Sequence, residues 1–140
     1  MSAARWLLCA ALPCAAAASA APDKLPGELV YARCAACHAL AYDRVGPRHC
    51  GLLGRRAGTV AGFAYSPAMK NSGLTWDEKT LDRFLAQPMK ALPGTTMTYD
   101  GVPDPKERRD LIAYLHQASH AAECNTAGAS ARGAPGGAAP

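Results

Sequence analysis

Apolar side chains recur at three- and four-residue intervals along this chain and never alternate as a half-buried strand would require. Leu81, Phe84 and Leu85 repeat at i, i+3 and i+4, and Leu111, Tyr114, Leu115 and Ala118 make a second stripe. A shorter apolar side, Leu29, Val30 and Tyr31, falls within a helical segment from Gly27 to Ala36. Polar and proline positions mark where helices start and stop. Thr75-Trp76-Asp77-Glu78 reads as a capping box, with Thr75 as N-cap and Glu78 at the third position, and Pro88 opposes continuation beyond Gln87. Asp104-Pro105-Lys106-Glu107 opens the last helix by the same devices. Ser66-Pro67 predicts one brief turn over Ser66–Lys70. The pattern predicts an all-α protein: three main helices, a short one, and long loops between them.

Those loops are informative in themselves. Ala39 to Tyr65 is punctuated by glycine at 46, 51, 54, 58 and 62, and Met89 to Val102 is a second irregular stretch containing Pro93-Gly94. So long a loop is unusual in a small domain unless it wraps something.

Of the 140 residues, 49% are apolar, a length that suits one domain. The ends reduce it. Arg5, the apolar stretch Trp6 to Ala18 and the small-x-small sequence Ala18-Ser19-Ala20 predict a signal peptide over residues 1–20, cleaved after Ala20. A lipoprotein signal is the weaker alternative, because Leu8 precedes Cys9 and Pro13 precedes Cys14. No segment approaches the run of roughly 20 apolar residues a spanning helix needs. Residues 125–140 are almost all Ala, Gly, Pro and Ser, with one charge at Arg132, and predict a flexible tail. The remaining unit, 21–124, is near the lower size limit for a self-sufficient core. A buried cofactor, covalent attachment to it, or a disulfide would compensate.

Fifteen basic against eleven acidic side chains give a net charge of +4, with no basic run, so nucleic-acid binding has little support. Arg33, Arg44, Arg48, Arg55 and Arg56 nonetheless fall in one short stretch. They read either as an ordinary solvated surface or as a positive rim around a reactive centre.

Loss of the signal would leave four cysteines. Two lie in Cys34-Ala35-Ala36-Cys37-His38, the C-x-x-C-H spacing of covalent haem attachment. The two thiols add across the haem vinyl groups, and the following histidine is carried to the iron as its axial ligand. A redox dithiol would want a preceding strand, and a zinc site a second ligand pair at similar spacing. The sequence offers neither, so one covalent haem c is the expectation. Cys50 and Cys124 are left over. In an exported chain they read as a disulfide, the alternative being separate buried or reactive thiols.

With His38 at one axial position, candidates for the other are Met69, Met89, Met97, His49, His116 and His120. His116 and His120 read as surface residues, and Met69 and Met89 each follow a proline where packing is a sufficient role. Met97 lies in Pro93-Gly94-Thr95-Thr96-Met97-Thr98-Tyr99, an apolar-poor loop with no obvious core for a methionine to serve.

From Gly27 to Ala118 the chain resembles the class I cytochromes c, bacterial c2-like and mitochondrial-type. The likeness rests on Gly27-Glu28-x-x-Tyr31, Val45-Gly46-Pro47, Gly51-Leu52-x-Gly54-Arg55 and Gly62-Phe63-x-Tyr65-Ser66, then Trp76, Pro93-Gly94-Thr95-x-Met97 and Leu111-Ile112-Ala113-Tyr114-Leu115, in that family's order. The resemblance implies that the loops wrap the haem, that Met97 is the distal ligand with Thr95 nearby, and that the Pro47 carbonyl bonds the free ring nitrogen of His38. It implies that Arg55, Tyr65 and Trp76 surround a buried haem propionate, and that Leu111 and Tyr114 pack on the first helix near Gly27. The chain departs from the family where Phe84 replaces a common tyrosine, Met69 a common asparagine, Thr96 a common lysine, and His49 a usually apolar residue.

The implied function is that of a non-enzymatic periplasmic electron carrier, monomeric, meeting larger redox partners transiently. Two alternatives remain: a dedicated subunit of a dehydrogenase, or a haem protein that binds ligands or peroxide if Met97 leaves the iron open.

Overall fold

Proline at the first helical position opens nearly every helix. The computed structural model describes residues 25–125, and within them the element order is α1 (Pro26–Tyr31), α2 (Pro67–Lys70), α3 (Glu78–Ala86), α4 (Pro88–Ala91) and α5 (Pro105–Ala118). The signal segment and all but the first residue of the C-terminal tail lie outside the described residues. Asp104 caps α5 by accepting from the N–H groups of Lys106 (2.7 Å) and Glu107 (2.9 Å), and Ser66 caps α2 by accepting from Met69 (3.2 Å). Among the described residues the only strand-like pairing is an isolated antiparallel bridge, Arg56 with Thr75.

That bridge corrects one expectation. Trp76 N–H donates to Arg55 (2.9 Å), Gly54 N–H to Trp76 (2.8 Å) and Ala57 N–H to Leu74 (2.9 Å), which holds residues 74–76 extended. Thr75 therefore cannot cap α3, and the start moves two residues on. Asp77 accepts from the Thr80 N–H at 2.7 Å while the Thr80 hydroxyl accepts from the Asp77 N–H at 2.9 Å, a reciprocal box. Pro88 ends α3 as expected but also begins α4, so the stretch after Met89 is less irregular than its sequence suggests. The first helix is shorter than predicted, ending at Tyr31, although turns continue to His38 through Cys34 N–H to Tyr31 (2.8 Å) and His38 N–H to Cys34 (2.9 Å).

α1 and α5 cross closely because Gly27 has no side chain. A Cβ there would overlap the Asp110 carbonyl and the Tyr114 Cβ. The buried face of α1 is Gly27, Val30 and Tyr31, while Leu29, expected on the apolar side, is exposed. Tyr31 and Tyr114 bring their rings to 5.2 Å, and Arg33 grips Glu107 with both guanidinium nitrogens. α3 is tied to α5 by Arg108, which donates to Asp82 (2.7 Å) and to the carbonyls of Val102 (2.9 Å) and Pro103 (2.8 Å). Val102 and Leu111 are completely buried at this junction. The helices thus form one wall, and the long loops close the other side around a cavity.

Candidate haem site

The cavity has a volume of about 340 Å³, and its exposed lining is mostly apolar. Cys34, Cys37 and His38 lie on it, presented by the turns that continue α1, and so does Met97 from the loop after α4. Cys34 is partly buried and Cys37 exposed. Burial pushes the Cys34 thiol up rather than down, the opposite of what a reactive redox dithiol requires.

His38 is held for a single task. Its Nδ1 lies 2.8 Å from the Pro47 carbonyl oxygen, which can only accept, so Nδ1 carries the proton and Nε2 keeps its lone pair. Burial holds the ring below the usual histidine pKa, against the opposing bond to Pro47, and so favours the neutral form a metal needs. The chain segment that brings Pro47 into place passes close to the ring: a Cβ on Gly46 would collide with three His38 ring atoms. Gly46 itself is anchored through its N–H to the Cys37 carbonyl at 2.7 Å.

Among the other candidate ligands the geometry discriminates. Met89 is 48% exposed and lies off this cavity, and His116 on α5 and His120 just beyond its end are exposed. Met69 does line the cavity, buried in the core, so two thioethers face this space. Met97 is half-buried against the core cluster, contrary to the expectation that its loop has no core to serve. Thr95 stiffens that loop: its hydroxyl accepts from the Met97 N–H at 3.3 Å, and its own N–H donates to Leu92 at 3.1 Å.

Arg55, Tyr65 and Trp76 line the same cavity, Trp76 buried and the other two half-buried. Arg55 commits two of its five N–H groups to the carbonyls of Cys50 (2.8 Å) and Arg48 (2.9 Å). Burial lowers its pKa and raises that of Tyr65, so the pair presents a cation and a neutral phenol. Such a set suits a carboxylate, whose burial without partners is costly. Of the clustered arginines only Arg33 and Arg55 border the cavity. Arg33 is paired with Glu107 and Arg48 with Asp43, so the positive rim is thinner than the arginine count suggests.

Two further contacts shape the site, one of them not legible in the sequence. The His49 ring stacks on that of His38, with centroids 4.4 Å apart. Burial, with His38 and Arg55 nearby, pushes its pKa down to about 3. The structure also brings Cys50 and Cys124 together in disulfide geometry, with Cα atoms 5.2 Å apart, which joins the loop carrying His49 to the chain just beyond α5. The cysteines left over from the haem motif point to the pair in sequence, but nothing local points to the stack. Taken together, an apolar slot with two thiols and an imidazole at one side, a thioether from a separate loop, and a cation–phenol–indole end fits a haem with its propionates.

The family described as Cytochrome c matches residues 25–119. The chain is 48% identical to "Cytochrome c2" of Rhodomicrobium vannielii over 109 residues, covering 76% of this chain and 87% of that protein. It is 42% identical to "Cytochrome c" of Nigella damascena over 103 residues, covering 71% of this chain and 93% of that one. Among solved structures, cytochrome cH from Methylobacterium extorquens is similar with a TM-score of 0.65 and 45% identity, covering 69% of this chain and 99% of that chain.

Proposed function

The chain belongs to the class I cytochrome c family and carries one covalently bound haem c, and from that premise we propose that it is a mobile single-electron carrier between larger redox proteins in the periplasm. By the same kinship it is not an enzyme. The observation that carries the reading is the convergence of Cys34, Cys37, His38 and Met97 on one cavity, with His38 turned by Pro47 so that Nε2 is its free donor.

When bound, the haem supplies an iron that gains or loses one electron. The protein does the rest. Cys34 and Cys37 attach the group through thioether bonds. His38 and Met97 would ligate the iron, a pairing that raises the reduction potential and would leave the iron no open site for oxygen or peroxide. Thr95 and Pro47 hold those two ligands, so that little need move when the charge changes. Arg55, Tyr65 and Trp76 receive a propionate. Cys37 and Val45, the latter 81% exposed, bring one margin of the cavity to the surface, and we assign partner contact to that margin. Exposed Arg44, next to Val45 in the chain, puts positive charge beside that margin, which favours fast, salt-sensitive and transient encounters.

Export to the periplasm rests on residues 1–20, with cleavage after Ala20, leaving a haem domain over 21–124 and the tail 125–140. Among the described residues no helix is long and apolar enough to cross a membrane. Cys50 and Cys124 are assigned as a disulfide in the exported monomer. The test is a redox titration of purified holoprotein together with exposure of the reduced form to carbon monoxide. A one-electron Nernst curve and an unchanged visible spectrum are expected. A spectrum altered by carbon monoxide at neutral pH would mean an open axial position and a ligand-binding or peroxidatic role instead.

A further inference from the structure

A second imidazole accompanies His38, and electron carriage as such does not require it. The His49 and His38 rings are stacked at 4.4 Å with their planes inclined by 21°. Several independent contacts fix His49 there. Its backbone N–H is shared between the carbonyls of Ala39 (3.1 Å) and Leu40 (3.0 Å), and the next N–H, of Cys50, goes to Leu40 at 2.8 Å. Arg55 holds the carbonyls on both sides, those of Arg48 and Cys50, and Cys50 is tied on to Cys124. The Tyr31 hydroxyl and His49 Nδ1 are hydrogen-bonded at 3.2 Å, and the two rings meet edge to face at 5.7 Å. The opposite freedom of His38 is also removed, because Pro47 fixes its Nδ1 and the Gly46 backbone crowds its ring atoms.

We propose that His49 is a positioning and tuning residue for His38, its ring face holding the plane of the axial imidazole and lowering the reduction potential. The inference rests on the reading of His38 as axial ligand. An axial imidazole gives up more electron density to oxidised than to reduced iron. The negative face of an aromatic ring attracts an electron-poor partner. The stack therefore favours the oxidised form. An aliphatic side chain of similar size would fill the space without that preference.

The test compares holoproteins of the wild type, His49→Leu, His49→Val as a second aliphatic replacement, and His49→Phe, which keeps a ring face but no ring nitrogen. Reduction potentials are measured at one pH and ionic strength, and the oxidised forms are examined by electron paramagnetic resonance. The aliphatic variants should have a higher potential and an altered spread of g-values, whereas His49→Phe should stay near the wild type in both. An unchanged or lowered potential in the aliphatic variants overturns the inference, as does a His49→Phe shift as large as theirs. Imidazole nitrogen couplings in the paramagnetic resonance of the oxidised wild type separate the failure of the inference from the failure of the ligation reading. With those couplings present, such a result removes the inference alone. With them absent, His38 is not the axial ligand and the inference falls with that reading.

Discussion

His38 and Pro47 form the contact on which the site turns: imidazole Nδ1 donates to a carbonyl oxygen 2.8 Å away, nine residues along the chain. One bond fixes the tautomer, orients the ring and leaves Nε2 for iron. It works only because Gly46 lets the backbone pass against the ring. Gly46→Ala should therefore push His38 out of line. The expected outcome is a sharply reduced yield of low-spin holoprotein, measured by visible absorption per mole of chain. Normal yield with a normal spectrum would mean that the loop can step aside.

Covalent attachment follows from Cys34 and Cys37 at the mouth of the same cavity. Haem should remain with the chain through denaturation and acid-organic extraction. Cys34→Ala combined with Cys37→Ala should abolish covalent haem, as judged by the mass of the intact protein.

Much of this arrangement could be read from residues alone, and the failures have physical causes. The C-x-x-C-H spacing, the proline-led helix starts and the Asp104 cap are local, so they survive folding unchanged. Thr75 resembles a helix cap in sequence, yet its bridge partner Arg56 lies nineteen residues away, and no local pattern reports a bridge of that kind. Its side chain alone puts Leu29 on the apolar side of α1, but the stripe in the fold is Gly27, Val30 and Tyr31 at i, i+3 and i+4, with a glycine as its closest contact. Pro88 is both a stop for α3 and a start for α4, since its missing N–H costs nothing at a helix N-terminus. The stack of His49 on His38 depends on where a loop returns, which only the assembled fold determines.

Cys50 and Cys124, 74 residues apart, would close most of the domain into one loop. Chain entropy alone gives roughly 4 kcal/mol at 25 °C for such a closure. Covalent haem and residual structure already restrict the unfolded chain, so removing the bridge should cost about 1–3 kcal/mol. Chemical unfolding of the Cys50→Ala, Cys124→Ala variant should show a lower midpoint with an unchanged haem spectrum. Peptide mapping of the wild type under non-reducing conditions should find the two cysteine peptides joined.

Asp104 provides a pH-dependent contribution. Bonds from the Glu107 and Lys106 N–H groups hold its carboxyl below the usual carboxylate range. A folded pKa below the unfolded one contributes stability above the unfolded value, lost as the pH falls through the folded one. Asp104→Ala should therefore lower the unfolding midpoint at neutral pH, modestly because the group is exposed. The deficit relative to wild type should shrink on acidification, when the wild-type carboxylate is itself protonated. A deficit that does not change with pH would show that packing rather than charge is lost.

Met69 and Met97 both border the cavity, and the choice between them as distal ligand decides the chemistry of the iron. The most direct measurement is the near-infrared sulfur-to-iron charge-transfer band of the oxidised holoprotein, taken for the wild type and for Met97→Ala, Met69→Ala and Met89→Ala. The band should be present in the wild type, vanish in Met97→Ala and persist in the other two. Its persistence in Met97→Ala, or its loss in Met69→Ala, would contradict Met97 as the second axial ligand.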